Sequence, residues 1–155
     1  MRGPLPPLRR RPEDGQIAVL ILGLFVIVLV FILGAIDVTA AQLARMRLLD
    51  TADAIALDAA DALDVGAVYE GGVQGPLVLT HGSVREAATT HLSRTPRPTG
   101  ISSWTLQPPT GTPDGTTAEV TLSGRATLPM TGWILESLGG GVTITVTSRA
   151  RAPLR

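Results

Sequence analysis

The sequence predicts an α+β protein: a long N-terminal transmembrane helix that continues into an extracytoplasmic domain with a small antiparallel sheet and a packed helix. Three observations carry this. Residues 17–36 are an uncharged apolar run, residues 35–65 contain no Pro and, after Gly34, no Gly until Gly66, and beyond residue 100 the apolar period changes from helical to two. The 155 residues include 0 Cys, which excludes disulfide scaffolds, thiolate metal sites and cysteine nucleophiles. Arginines balance acids at a formal net charge of +0, so there is no basic excess to neutralise phosphates and no nucleic-acid partner is expected. Apolar residues make up 45% of the chain but aromatics only 3%, so burial must rest on aliphatic side chains, and these are concentrated near the start.

The run from Ile17 to Ile36 reads IAVLILGLFVIVLVFILGAI. At 1.5 Å per residue it is about 30 Å long as a helix, the thickness of a bilayer's hydrocarbon core. A helix is the form that pairs every backbone group within one segment in lipid. A buried helix of a soluble core is the weaker reading, because the rest of the chain is too small to enclose a rod that is apolar all round. A cleaved secretory signal would use Arg2, Arg9, Arg10 and Arg11 as its basic region and Val38-Thr39-Ala40 as its small-residue site. The apolar part of such a signal is about 7–15 residues, shorter than this run. The segment is therefore expected to stay as an anchor. Four arginines precede it and two, Arg45 and Arg47, follow closely, which places residues 1–16 as a basic cytoplasmic segment and residues 37–155 outside.

Residues 37–65 are rich in Ala, Leu, Met, Arg and Gln, so the helix is expected to continue past the bilayer to about Asp64, roughly 70 Å in all. This extension is amphipathic. Asp50, Asp53, Asp58, Asp61 and Asp64 share one side, while Leu48, Ala52, Ile55, Ala59 and Leu63 share the other. The helix-packing candidates are Ala52, Ile55, Ala56, Ala59 and Leu63, facing either the chain's own sheet or another protein's helix. The acidic side is expected to be solvated; the aspartates are too widely spread for a metal site. Asp37 stands alone after the last apolar residue, as an interfacial charge. It is either a polar stop or a partner for an Arg or backbone amine of a neighbouring subunit.

Residues 66–155 form the extracytoplasmic domain. Gly66, Gly71, Gly72 and Gly75 end the rod, and Leu77-Val78-Leu79 is a candidate strand. Ser83, with Glu86 three residues on, is the expected cap of a second helix, whose apolar positions are Val84, Ala87, Ala88, His91 and Leu92. The stretch 93–100, SRTPRPTG, is a breaker-rich linker. Trp104 and Leu106 begin a strand that gives way to a loop through Pro108-Pro109 and Asp114-Gly115. In the next strand Ala118, Val120, Leu122, Ala126 and Leu128 alternate with Glu119, Thr121, Ser123, Arg125 and Thr127, with Gly124 marking a bulge. Val142, Ile144 and Val146 alternate with threonines in the last strand. Such alternation predicts an antiparallel sheet with one wet face. Trp133-Ile134-Leu135 and Leu138, ended by Gly139-Gly140-Gly141, predict a helical plug on the sheet.

Catalytic signatures are sparse. His81 and His91 lack a third ligand, and His91 is expected to be a partly buried structural residue. The glycines at 139–141 lack the Lys and following helix of a phosphate cradle. His81, Ser83 and Asp114 form only the kind of trio that any chain of this size offers. The expectation is no catalytic site, no cofactor and no metal.

Gly15-Gln16-Ile17-Ala18-Val19, the apolar span, Ile36-Asp37-Val38, Leu43-Ala44-Arg45 and the run TADAIALDAA at 51–60 together resemble the N-terminal segment of TadE/TadG-like proteins of the Flp (Tad) pilus apparatus. The resemblance covers about a third of the chain. It implies a pilin-like structural or assembly component in the bacterial cytoplasmic membrane, whose partners are the bilayer, other Tad pilus or pseudopilin subunits and membrane platform proteins. It also implies a prepilin-peptidase site at Gly15–Gln16. The fifth residue after Gly15 is Leu20 where a processed pilin has Glu, which favours an anchored accessory role. The other reading is a single-pass envelope protein whose β-domain binds an unrelated envelope ligand; an envelope hydrolase using His81 is a third.

Overall fold

The structure is a computed structural model and describes residues 13–61 and 79–151. Helix α1 runs unbroken from Glu13 to Asp61, 49 residues and about 73 Å. The two threonines inside it pair their hydroxyls by back-bonding: the Thr39 hydroxyl donates to the Ala35 carbonyl at 2.8 Å and the Thr51 hydroxyl to the Arg47 carbonyl at 2.9 Å. The expected end at Asp64 and the boundary at residue 65 lie outside the described residues, as do Leu77 and Val78. Leu79 is buried but not in a strand; its N–H donates to the Gly115 carbonyl at 2.7 Å.

Helix α2 spans His81–Arg94. Its cap is Thr80, three residues before the Ser83 expected from sequence. The Thr80 hydroxyl accepts from the Ser83 N–H and the Ser83 hydroxyl accepts from the Thr80 N–H, both at 3.1 Å. Two overlapping capping patterns start at Thr80 and Ser83, and the earlier one wins because it lets His81 and Gly82 join the helix. The apolar stripe is as expected: Val84 and Ala88 are fully buried, and Ala87, His91 and Leu92 half-buried.

Three strands follow: β1 (Ile101–Gly111), β2 (Thr117–Ala126) and β3 (Val142–Arg151), with the short helix α3 (Gly132–Ser137) between the last two. They form an antiparallel meander in the order β1-β2-β3. β1 continues through Pro108 and Pro109, where a loop was expected, because an edge strand can do without their missing N–H groups. α1 lies across β2 and β3, and α2 lies beside α1 over β1. Leu48, Ile55, Val84, Val120 and Leu122 fill the layer between helices and sheet with no exposure above 0%. A second, smaller cluster of Ala44, Ile101 and Ala126 closes the end of this layer nearer the apolar run.

Three expectations change here. Gly124 is not a bulge: it pairs regularly with Trp104 and Ile144, and the irregularities fall in β1. Its reason is close approach, since a Cβ there would sit 3.2 Å from both Leu48 Cδ2 and Ile101 Cγ2. The outer face of β2 is not uniformly wet. Glu119 and Thr121 are buried, because the bulged end of β1 brings the Thr110 hydroxyl onto the Thr121 N–H at 3.2 Å. Across the sheet, Thr147 meets Thr121 at 3.0 Å and Arg149 pairs with Glu119 at 3.0 Å. Finally, α3 is no plug. None of its residues is buried, because its start is held against α1 below the edge of the sheet.

Candidate functional site

The chemistry of this chain is concentrated where α1 leaves the apolar run. Asp37 directly follows Ile36, yet only 5% of it is exposed. Its carboxylate accepts the backbone N–H groups of Met130 and Thr131, both at 2.8 Å, and the Thr131 hydroxyl. Thr131 is the cap residue before α3, so the carboxylate satisfies the N–H of that cap position and of Met130 ahead of it. Asp37 lies on the face of α1 that carries Ala44 and Leu48, seven and eleven residues further on. The helix face that builds the core therefore also reaches the connector between β2 and β3. Above this clamp, Arg47 donates to the Thr99 carbonyl at 2.9 Å, a second tie between α1 and the loop entering β1.

Below the clamp, α1 is a bare rod. Every large apolar residue from Ile17 to Ile36 except Leu33 is exposed, Phe31 at 75%. Such a surface is compatible with lipid or with other apolar helices. Above it, the side of α1 away from the sheet carries Leu43, Met46 and Leu57 in the open, interleaved with Asp50, Asp53 and Asp61.

Residues 15–62 match the Tad family model, described as "Putative Flp pilus-assembly TadE/G-like". The N-terminal third of the chain is TadE/G-like. No curated protein and no solved structure matches the chain. The TadE/G-like segment coincides with the apolar rod, the clamp residue Asp37 and nearly all of the helix face in the core. With a helix of membrane-spanning length and composition in the same stretch, these findings support a Tad pilus-associated membrane protein.

Within this TadE/G-like segment, Gly15 and Gln16 lie exposed near the start of α1. Ala52, Ile55, Ala56 and Ala59 are all fully buried against the chain's own sheet and α2. Of the two partners open to this stripe in the sequence, the chain's own domain takes it. Leu63 lies outside the described residues. Asp37 meets backbone amines as one reading had it, but they belong to its own chain.

The acidic side is mostly exposed, with one use that spacing did not reveal: Asp58 pairs with Nδ1 of His91 on α2 at 3.0 Å. The trio His81, Ser83 and Asp114 is divided among other partners. His81 Nδ1 accepts the Thr112 N–H at 3.2 Å, and Ser83 is the reciprocal partner of the Thr80 cap of α2. Asp114 accepts the N–H groups of Thr116 and Thr117 at 2.9 and 2.7 Å and the Thr117 hydroxyl at 2.9 Å, and those bonds, the Thr116 N–H foremost and then the Thr117 hydroxyl, hold its carboxyl down at about 2. His81 also lines an open cleft of about 230 Å³ with Arg85, Pro108, Thr112 and Glu119. Sequence reasoning missed Met130 and Thr131, whose role rests on two backbone N–H groups and a single hydroxyl distant in the chain from Asp37.

Proposed function

We propose that this chain is a pilin-like structural or assembly component of a Tad-type (Flp) pilus or secretion apparatus. It is a single-pass protein of the bacterial cytoplasmic membrane, with its N-terminus in the cytoplasm and its domain outside. The observation that carries this reading is the continuity of α1: one helix is bare and apolar for its first half and the backbone of a folded domain for its second. A domain locked to its own span in this way presents a fixed face to neighbours. The role is scaffolding, not catalysis.

Because the Ala52/Ile55/Ala59 stripe is occupied, neighbouring subunits dock on the bare rod and on the outward side of α1, where Leu43, Met46 and Leu57 are exposed. The test is photo-crosslinking in the native host from positions 46 and 57, followed by identification of the captured proteins. Pilus subunits or membrane platform proteins are the expected products, and their absence from both positions refutes the role. Leu57→Arg is expected to keep the fold and lose these partners. Ala59→Arg buries an unpaired charge and costs more than about 3 kcal/mol of stability, so it removes partners only by unfolding the domain.

A further inference from the structure

The connector between β2 and β3 presents an apolar surface that the fold leaves open. Trp133 is 70% exposed and Leu138 78%, with Ile134 and Met130 at 40% and 38%. A chain with 3% aromatics thus holds one of its two tryptophans in the open. The position of this patch identifies its occupant. β2 ends at Ala126, beside Ala44 of α1. Four residues later the connector is bonded to Asp37, about 10 Å further down the helix and next to Ile36. The chain then turns through α3 and returns to Val142, the partner of Ala126.

The excursion therefore points away from the sheet and along α1 toward the apolar run. Leu33, one turn before Asp37 on the same face, is half-buried, while every other large apolar residue of the run is exposed. That places protein beside the apolar run itself. The charged side chain of α3, Glu136, sits at the margin of this surface, lining a cleft of about 140 Å³ that Trp133 shares with Arg125 and Thr127 of the strand end.

We propose that the connector's Met130, Trp133, Ile134 and Leu138 insert into the interfacial layer of the bilayer leaflet that α1 leaves at Asp37. Tryptophan is enriched at that depth because its ring is apolar and its N–H prefers the polar side, and short apolar segments lie in this layer without spanning it. The Asp37 bonds set the depth, by fixing the connector to the helix at the first residue beyond the apolar run. The domain is then held by the span and by a second foothold beside it, which opposes tilting. This inference rests on the reading of α1 as a spanning helix.

The experiment uses the full chain reconstituted into vesicles of phosphatidylcholine and phosphatidylglycerol carrying bromine on their acyl chains. Trp104→Phe leaves Trp133 as the sole emitter, and the difference between wild type and Trp133→Phe gives the same signal should that variant not fold. The expected result is that Trp133 loses most of its emission to brominated lipid and is shielded from aqueous iodide. Quenching by iodide but not by bromine overturns the proposal, since the patch is then in water. Shielding from both also overturns it, because a second copy or another protein then covers the patch. Vesicle flotation separates the two levels: a chain that floats with vesicles and resists carbonate but shows no bromine quenching sinks this inference alone. A chain that carbonate releases sinks the spanning reading as well.

Discussion

The contact of Leu48 with Gly124 gives the sharpest test of how the helix and the sheet are fitted together. Leu48 is the largest class of side chain at 0% exposure, and its two methyl groups would lie 3.2 and 3.3 Å from a Cβ at position 124. Leu48→Ala is expected to cost about 3 kcal/mol, since a fully buried Leu leaves a cavity that packed neighbours fill only in part. At roughly 4 °C per kcal/mol for a domain of this size, the unfolding midpoint falls by about 12 °C. Gly124→Ala alone overpacks the same spot. Overpacking costs roughly 1–3 kcal/mol, and the lower entropy of the unfolded chain returns about 0.4–1 kcal/mol, a net loss of about 1 kcal/mol. In the Leu48→Ala background two of the three crowding atoms are gone, and the new methyl occupies space that the Leu vacated. The double variant should therefore be more stable than the sum of the single ones by about 1–2 kcal/mol. Thermal and denaturant unfolding of the full chain in detergent micelles, followed by Trp104 emission in a Trp133→Phe background, measures all four states. Additivity within about 0.5 kcal/mol would refute the claim that Gly124 is there to admit Leu48.

Further predictions concern the two carboxylates that hold backbone amides. Asp37→Ala is expected to raise hydrogen exchange at the Met130 and Thr131 amides roughly tenfold or more and to open residues 127–141 to proteases, while the core positions keep their protection. Unchanged exchange at those two amides would mean that the clamp is dispensable. Asp114 is held at about 2 from a usual 3.8 by bonds from Thr116 and Thr117. A depressed carboxylate contributes stability that is full above the unfolded value and is lost as pH falls through the folded one. Acid unfolding between about pH 4 and pH 2 should thus be less steep in Asp114→Asn, and identical acid limbs in the two proteins would contradict it.

Much of the architecture was legible because it rests on local signals. The uncharged apolar run, the absence of breakers through residue 61 and the alternation at Val120-Thr121-Leu122 each declare their element without reference to distant partners. The choice between Thr80 and Ser83 as cap was harder, since both begin a pattern with an acceptor three residues on. What the sequence hid is long-range. Nothing near Asp37 indicates that its acceptors will meet donors 93 and 94 positions away. Likewise, Trp133, Ile134 and Leu138 have the composition of a plug, and composition alone cannot separate an apolar turn that caps a core from one that hangs beyond it. The burial of Glu119 belongs to the same class, because it depends on a bulge in β1 and on Arg149 of β3.

The continuity of α1 also imposes a phase relation that explains why its middle contains no breaker. Asp37 must face the connector, and Ala44, Leu48, Ile55 and Ala59 must face the sheet, within one helix whose residues advance by 100° each. Seven, eleven, eighteen and twenty-two residues separate Asp37 from these four. Each separation brings the side chain back to within about 40° of the same direction. A proline between 37 and 44 would kink the helix and misalign the two halves, and a one-residue insertion would swing the clamp by about 100° away from Met130. The Val/Thr/Ala/Gln/Leu sequence of that stretch, free of Gly and Pro, is thus as much a part of the clamp as the carboxylate is, because it fixes the rotation of the domain relative to the apolar rod.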